Sequence, residues 1–310
     1  MEIKDLLINL HNEVDAFCLK ERHLEMIREA FPGIRIVAVS SREDFLARLP
    51  DAEWVITWIF KSDWYRMAPG LKAVFTPAAG HDWAHPDPTG RVRNFYGRFH
   101  GRIMRESLLA MILFFNRRLG RMLENRPNKI WDRHDYDGAV SLFSQHVLIV
   151  GYGSVGRQMA EILRGFGATV TGVKRDIRGF EHDPFAARVV TFDSLPEELP
   201  LADHVVLVLP GEADTEGIFT ASHFAMMKKG SHFYNLGRGN CYREEDLVNA
   251  LRNGPLAGAG LDVFATEPLP SSSPLWELPN VIITPHASAI SREYLDLYFR
   301  DWIEDVRGMP

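Results

Sequence analysis

The stretch that decides the fold is His146-Val-Leu-Ile-Val-Gly151-Tyr-Gly153-Ser-Val-Gly156-Arg157. Its first five residues form a mostly apolar run of strand length, and Gly151 ends it. Ser154 to Phe166 then follows a helical pattern, closed by Gly165 and Gly167. A G-x-G-x-x-G set between a strand and a helix has a mechanical reading. Gly151 permits a tight turn, Gly153 lets the backbone approach a pyrophosphate, and Gly156 lets helix and strand pack closely. The start of the helix, at Ser154 and Val155, offers unpaired N–H groups and a positive dipole end to phosphate. The bland alternative is a glycine-rich turn that binds nothing.

The following strand, Thr169 to Val173, refines the expectation. An NAD site usually carries an acidic residue at its end, accepting from the ribose 2′-hydroxyl. Here Lys174 and Arg175 stand there. They would attract a 2′-phosphate, and Arg can grip it with paired hydrogen bonds. The expected cofactor is NADP(H), with NAD(H) possible if these are solvated turn charges and Asp176 holds the ribose. Leu209 and Pro210, at the end of a later apolar run, are further cofactor candidates.

Outward from this motif, strands and helices alternate along the chain, which argues for parallel sheets. Strands are expected at Ile34–Val39, Trp54–Trp58 and Ala73–Phe75, and helices at Lys20–Ala30 and Arg42–Leu49. The segment 85–98 reads as a loop around one short strand. It leads into a long apolar helix, Ile103–Leu119. A second strand–helix series runs from His146 to Thr284, and a last helix from Ser291 to Val306. The fold class is α/β with two doubly wound parallel-sheet domains. A Rossmann cofactor domain, 104–287, is inserted into a flavodoxin-like substrate domain, 1–103 plus 288–310. A length of 310 residues suits two domains.

Composition narrows the function. Thirty-five basic against 41 acidic residues give a net charge of −6, without the basic surplus of a nucleic-acid binder. The longest apolar run, Leu108–Phe115, is far short of a membrane span, and the N-terminus has no signal-peptide core. Two distant cysteines, Cys18 and Cys241, fit a reducing, cytoplasmic setting.

Three later segments each place a polar residue just past an apolar run. They are Ser231-His-Phe-Tyr-Asn-Leu-Gly-Arg238-Gly, Ala259-Gly-Leu-Asp262-Val-Phe-Ala-Thr-Glu267-Pro, and Val281-Ile-Ile-Thr-Pro-His286. Ligands of open parallel sheets sit beyond the carboxyl ends of the strands, so an Arg, a Glu and a His can meet there. A 2-oxo acid presents a carbonyl beside a carboxylate. Arg238 can orient the carboxylate and polarise the carbonyl. His286 can exchange a proton with the carbonyl oxygen, and Glu267 beside it favours the acid form near neutral pH.

On these residues the chain resembles the D-2-hydroxyacid dehydrogenases. GYGSVG, NLGRG, LDVFATEPLP, SPLWELPNV and TPH stand in the family's order and spacing, and Ala79-Gly80-His81-Asp82 is similar to its substrate-carboxylate loop. Lys174-Arg175 and EPLPSSSPLWELPNVIITPHAS most resemble the glyoxylate/hydroxypyruvate reductase branch. The resemblance implies Arg238 as substrate-binding residue, Glu267 as partner of the histidine and His286 as acid/base. It implies that Asp262 holds the nicotinamide amide, that N–H groups near Ala79 and Gly80 bind the substrate carboxylate, that the product has the D configuration, and that the protein is a homodimer. The expected activity is NADPH-dependent reduction of a small 2-oxo acid, with substrate in a cleft between the domains. The alternatives are an NAD-linked D-2-hydroxyacid dehydrogenase for a bulkier acid, or a dinucleotide-sensing protein like the family's corepressors.

Other residues carry weaker expectations. His81 stands where the family has a small apolar residue and leaves the substrate open. His81 and His85 lack a third metal ligand, so no metal is expected. Cys241 reads as a small buried residue, and Trp54, Trp58 and Trp64 as core. Arg102 and Arg105, cations at a helix start, are expected to face an anion or the domain crevice.

Overall fold

Short strands with apolar side chains on both faces are stable only when covered on both sides, and they set this architecture. The computed structural model describes residues 4–80 and 83–309. The chain divides into two compact units, Met1–His100 with Ile290–Pro310, and Gly101–Ala289.

The first unit holds five parallel strands, β1 (Asp5–Asn9), β2 (Arg35–Ala38), β3 (Trp54–Thr57), β4 (Ala73–Thr76) and β5 (Arg93–Tyr96), in the order β2-β1-β3-β4-β5. This is the flavodoxin-like order. Helices α1 (Glu21–Ala30) and α2 (Arg42–Arg48) lie in this unit, and the C-terminal helix Tyr294–Arg307 returns to it. His23 ties α1 to that helix, with Nε2 2.9 Å from Asp296 Oδ1. Trp54, Trp58 and Trp64 are buried in this core.

The second unit holds seven parallel strands: β6 (His146–Val150), β7 (Thr169–Val173), β8 (Arg188–Val190), β9 (His204–Leu207), β10 (His232–Asn235), β11 (Gly258–Leu261) and β12 (Val281–Ile283). Their order is β12-β11-β10-β9-β6-β7-β8. The chain runs outward from β6 to β8, returns to β9 beside β6, and continues to the other edge. This is the Rossmann reversal, so the switch point lies between β6 and β9. Its helices are α3 (Gly101–Asn116), α4 (Leu119–Asn125), α5 (Ser154–Gly165), α6 (Leu195–Glu198), α7 (Ala221–Met226) and α8 (Glu244–Arg252).

Several expectations shift in detail. The strand β1 was not anticipated, yet it is central, pairing with both β2 and β3. The long helix ends at Asn116 rather than Leu119, because Arg118 turns into the left-handed region at φ 53° before α4 begins. The last helix starts at Tyr294 rather than Ser291. Arg105, expected to face an anion or the domain crevice, meets the carboxylate of Glu161 on α5 at 2.9 Å. Among the described residues no helix is long and apolar enough to cross a membrane.

Candidate active site

The glycine loop forms as its sequence requires. Gly151 has φ +105°, and a Cβ there would sit 2.4 Å from the Val208 carbonyl oxygen. A Cβ on Gly156 would lie 2.5 Å from the Gly151 carbonyl oxygen. Both positions are closed to side chains by the protein itself. Gly153 differs: its φ is −91°, and a Cβ there would meet nothing within 4 Å. Nothing in the fold demands glycine at 153, so its bare backbone suits the approach of a ligand. The first helical bond of α5 runs from Arg157 N to Gly153 O, leaving the N–H groups of Ser154, Val155 and Gly156 for an anion. A dinucleotide pyrophosphate fits this cradle.

After β7, Lys174 lies with Nζ 4.7 Å from the Phe180 ring centroid. Arg175 reaches across to Asp214, N to O 2.6 Å. Asp176 is held by Arg178, so it is engaged within its own turn. Leu209 and Pro210 follow β9, and the Pro210 carbonyl accepts from Thr215 Oγ1 at 2.5 Å.

Three strand ends carry the candidate catalytic residues. After β12 the chain turns sharply, and His286 takes φ +51°, a conformation side chains rarely adopt. Its Nδ1 lies 2.8 Å from Glu267 Oε2. The other Glu267 oxygen accepts from Phe264 N at 2.9 Å. The carboxylate is thus fixed at both oxygens, the proton belongs on Nδ1, and Nε2 is left for a reacting group. After β10, Asn235 folds the next turn by donating from Nδ2 to Arg238 O and accepting from Gly237 N. Gly239 presses its backbone on Phe264 and Ala265; a Cβ there would fall 1.9 Å from Phe264 C. Only glycine lets the Arg238 turn and the segment leading to Glu267 lie this close. The Arg238 side chain passes over Gly211, whose Cβ would meet its Cγ at 2.9 Å.

Asp262, expected at the nicotinamide amide, is fully buried. Its Oδ1 accepts from Thr284 Oγ1 at 2.6 Å and Ala287 N at 2.8 Å, and Oδ2 from Ser288 N at 3.0 Å. What it holds in this structure is the segment that carries His286. This anchoring was not read from the sequence, and no spacing rule would have signalled it.

Ala79 and Gly80 lie past β4 in the first unit, and their N–H groups have no protein acceptor among the described residues. His81, with Asp82, lies outside the described residues. Cys241 is buried, and burial pushes its thiol up to about 11, which leaves it inert. Among the described residues no group of three or more His, Cys, Asp or Glu side chains is placed to hold a metal.

A family model described as "D-isomer specific 2-hydroxyacid dehydrogenase, NAD binding domain" matches residues 109–288. The chain belongs to the D-isomer specific 2-hydroxyacid dehydrogenase family. It is 30% identical over 282 residues to a D-3-phosphoglycerate dehydrogenase of Mycobacterium leprae, covering 88% of this chain and 52% of the relative. It is 35% identical over 192 residues to a glyoxylate/hydroxypyruvate reductase B of Escherichia fergusonii, covering 61% and 58%. The chain therefore spans little more than half the length of these curated relatives. Among solved structures, an NADPH-dependent glyoxylate/hydroxypyruvate reductase of Sinorhizobium meliloti, in complex with NADP and sulfate, is 27% identical. It superposes with a TM-score of 0.77 over 99% of this chain and 96% of that one.

Proposed function

We propose that this protein is an NADP(H)-dependent reductase of small 2-oxo acids, of the glyoxylate or hydroxypyruvate type, forming the D-2-hydroxy acid. The observation that carries the reading is the His286–Glu267 pair at 2.8 Å, on a turn packed against the one bearing Arg238, in a unit with an open glycine cradle. Bound along that cradle, a nicotinamide dinucleotide supplies the hydride. Ser154, Val155 and Gly156 hold its pyrophosphate, and Lys174 and Arg175 favour a 2′-phosphate. Arg238 draws the substrate carboxylate and polarises the carbonyl. Glu267 keeps the His286 ring turned so that Nε2–H delivers a proton to the carbonyl oxygen. Ala79 and Gly80 offer N–H groups to a carboxylate.

Both curated relatives act on 2-oxo or 2-hydroxy acids by their names, one of them phosphorylated. The test is therefore absorbance loss of NADPH and of NADH with glyoxylate, hydroxypyruvate, 3-phosphohydroxypyruvate, pyruvate and phenylpyruvate. Preference for NADPH with one of the first two supports the reading. Turnover with the phosphorylated acid, or with NADH alone, replaces it.

The proposed assembly is a homodimer. The segment around α4 exposes Leu123, Ile130, Trp131 and Phe143, with Trp131 89% and Phe143 74% exposed. Several large exposed apolar side chains in one stretch of chain favour a protein contact. The two free cysteines fit a cytoplasmic setting.

A further inference from the structure

The segments that follow β7 and β9 are oppositely charged. The first, 174–178, carries Lys174, Arg175 and Arg178 with one acid, Asp176; the second, 211–216, carries Glu212, Asp214 and Glu216. The strand order β9-β6-β7 puts the glycine strand between them, and all three strands are parallel, so both segments leave the same sheet edge on either side of the glycine loop. The Arg175–Asp214 bridge spans that interval. Its acidic end is built. Thr215 is buried, donates to the carbonyls of Pro210 and Glu212, and its N–H returns to Glu212, which locks the turn presenting Asp214. The bridge itself is solvent-exposed, with side chains 77% and 52% accessible, so a stronger anion can displace the carboxylate.

We infer that Asp214 is a cofactor-selectivity residue: it occupies the Arg175 guanidinium that a ribose 2′-phosphate needs, and so lowers affinity for the phosphorylated dinucleotide relative to the unphosphorylated one. Lys174 and Arg175 stand where the discriminating acid ordinarily does, and Asp176 beyond them is engaged by Arg178. A carboxylate from the segment after β9 has come to the same guanidinium instead. With a 2′-hydroxyl cofactor the bridge persists. With a 2′-phosphate Arg175 exchanges partners, and Asp214 is left facing a dianion. The inference rests on the dinucleotide reading above and names the residue that tunes it.

The test uses ADP-ribose and 2′-phospho-ADP-ribose, which differ in one phosphate and need no turnover to read. Their affinities are measured by calorimetry for the wild-type protein, Asp214→Asn, Arg175→Ala and the double variant. Asp214→Asn should tighten 2′-phospho-ADP-ribose roughly three- to tenfold and leave ADP-ribose within about twofold. The gain should shrink in the Arg175→Ala background, the signature of two residues acting through one contact. An unchanged ratio of the two affinities, or a gain that persists in full without Arg175, overturns the inference. If the wild-type protein binds neither ligand, the dinucleotide reading falls and takes the inference with it. If it binds both and Asp214→Asn leaves their ratio alone, only the inference falls.

Discussion

The main-chain N–H of His286 donates to the main-chain carbonyl of Asp262 at 2.8 Å, while the Asp262 carboxylate accepts from Thr284, Ala287 and Ser288 around it. One buried residue therefore holds the segment that carries His286 by backbone and side chain together. It also supports the positive φ of His286, a conformation costing on the order of 1 kcal/mol that persists where surroundings over-determine it.

Asp262→Asn should test this hold. The amide keeps one oxygen but turns an NH2 group toward N–H donors, leaving buried groups unpaired at about 1–3 kcal/mol each. Turnover should fall roughly 10- to 100-fold with a lower Tm, while dinucleotide affinity changes little. Wild-type turnover in this variant would separate the anchor from the chemistry.

Glu267→Gln removes the charge beside the His286 ring and keeps the shape. Turnover should drop by about two orders of magnitude, and His286→Ala by two to four. Dinucleotide binding, followed by nicotinamide fluorescence, should survive both. If His286→Ala retains full turnover, the acid/base assignment is wrong.

Acid should weaken the second unit before its carboxylates titrate. His204 and His232 stack at the starts of β9 and β10, ring centroids 5.6 Å apart. Tyr234 and Gln145 occupy the two His204 nitrogens, and Asp203, paired with Lys228, is the nearby acid. Burial pushes His204 down to about 3 and His232 down to about 4, against 6.5 for the unfolded ring. Lowered values mean that the unfolded chain binds protons the folded chain refuses. The stability is whole above about pH 6.5 and is lost as pH falls toward 4, at up to about 1.4 kcal/mol per unit for each histidine. Urea midpoints at pH 7.5 and 5.0 should differ clearly, and less so in a His204→Asn, His232→Asn double variant. Equal midpoints in the wild-type protein would contradict this.

Trp131→Glu should break the proposed dimer. Light scattering behind a sizing column should report about twice the chain mass for the wild-type protein and the single chain for the variant. A monomeric wild-type protein removes the proposal.

Legibility followed locality. The strand β6 was read at its true ends because it is apolar and a required glycine stops it. The Glu267–His286 contact was legible because each residue comes shortly after an apolar run. The strand β1 was not, because Asp5-Leu-Leu-Ile-Asn9 is short and bracketed by polar residues; its central place comes from pairing with strands about 30 and 50 residues away. The Arg175–Asp214 bridge joins residues 39 apart on two segments with no shared pattern. The Asp262 anchor is likewise a product of where β11 and β12 end, which only the sheet order reveals.

The most direct test of the whole account is NADPH oxidation at 340 nm with glyoxylate or hydroxypyruvate, run beside Arg238→Ala and His286→Ala proteins that still bind NADPH. The account predicts steady oxidation by the wild-type protein and losses of orders of magnitude in both variants. Stoichiometric NADPH binding with no oxidation by the wild-type protein on any 2-oxo acid would contradict it and leave a nucleotide-binding protein in place of a reductase.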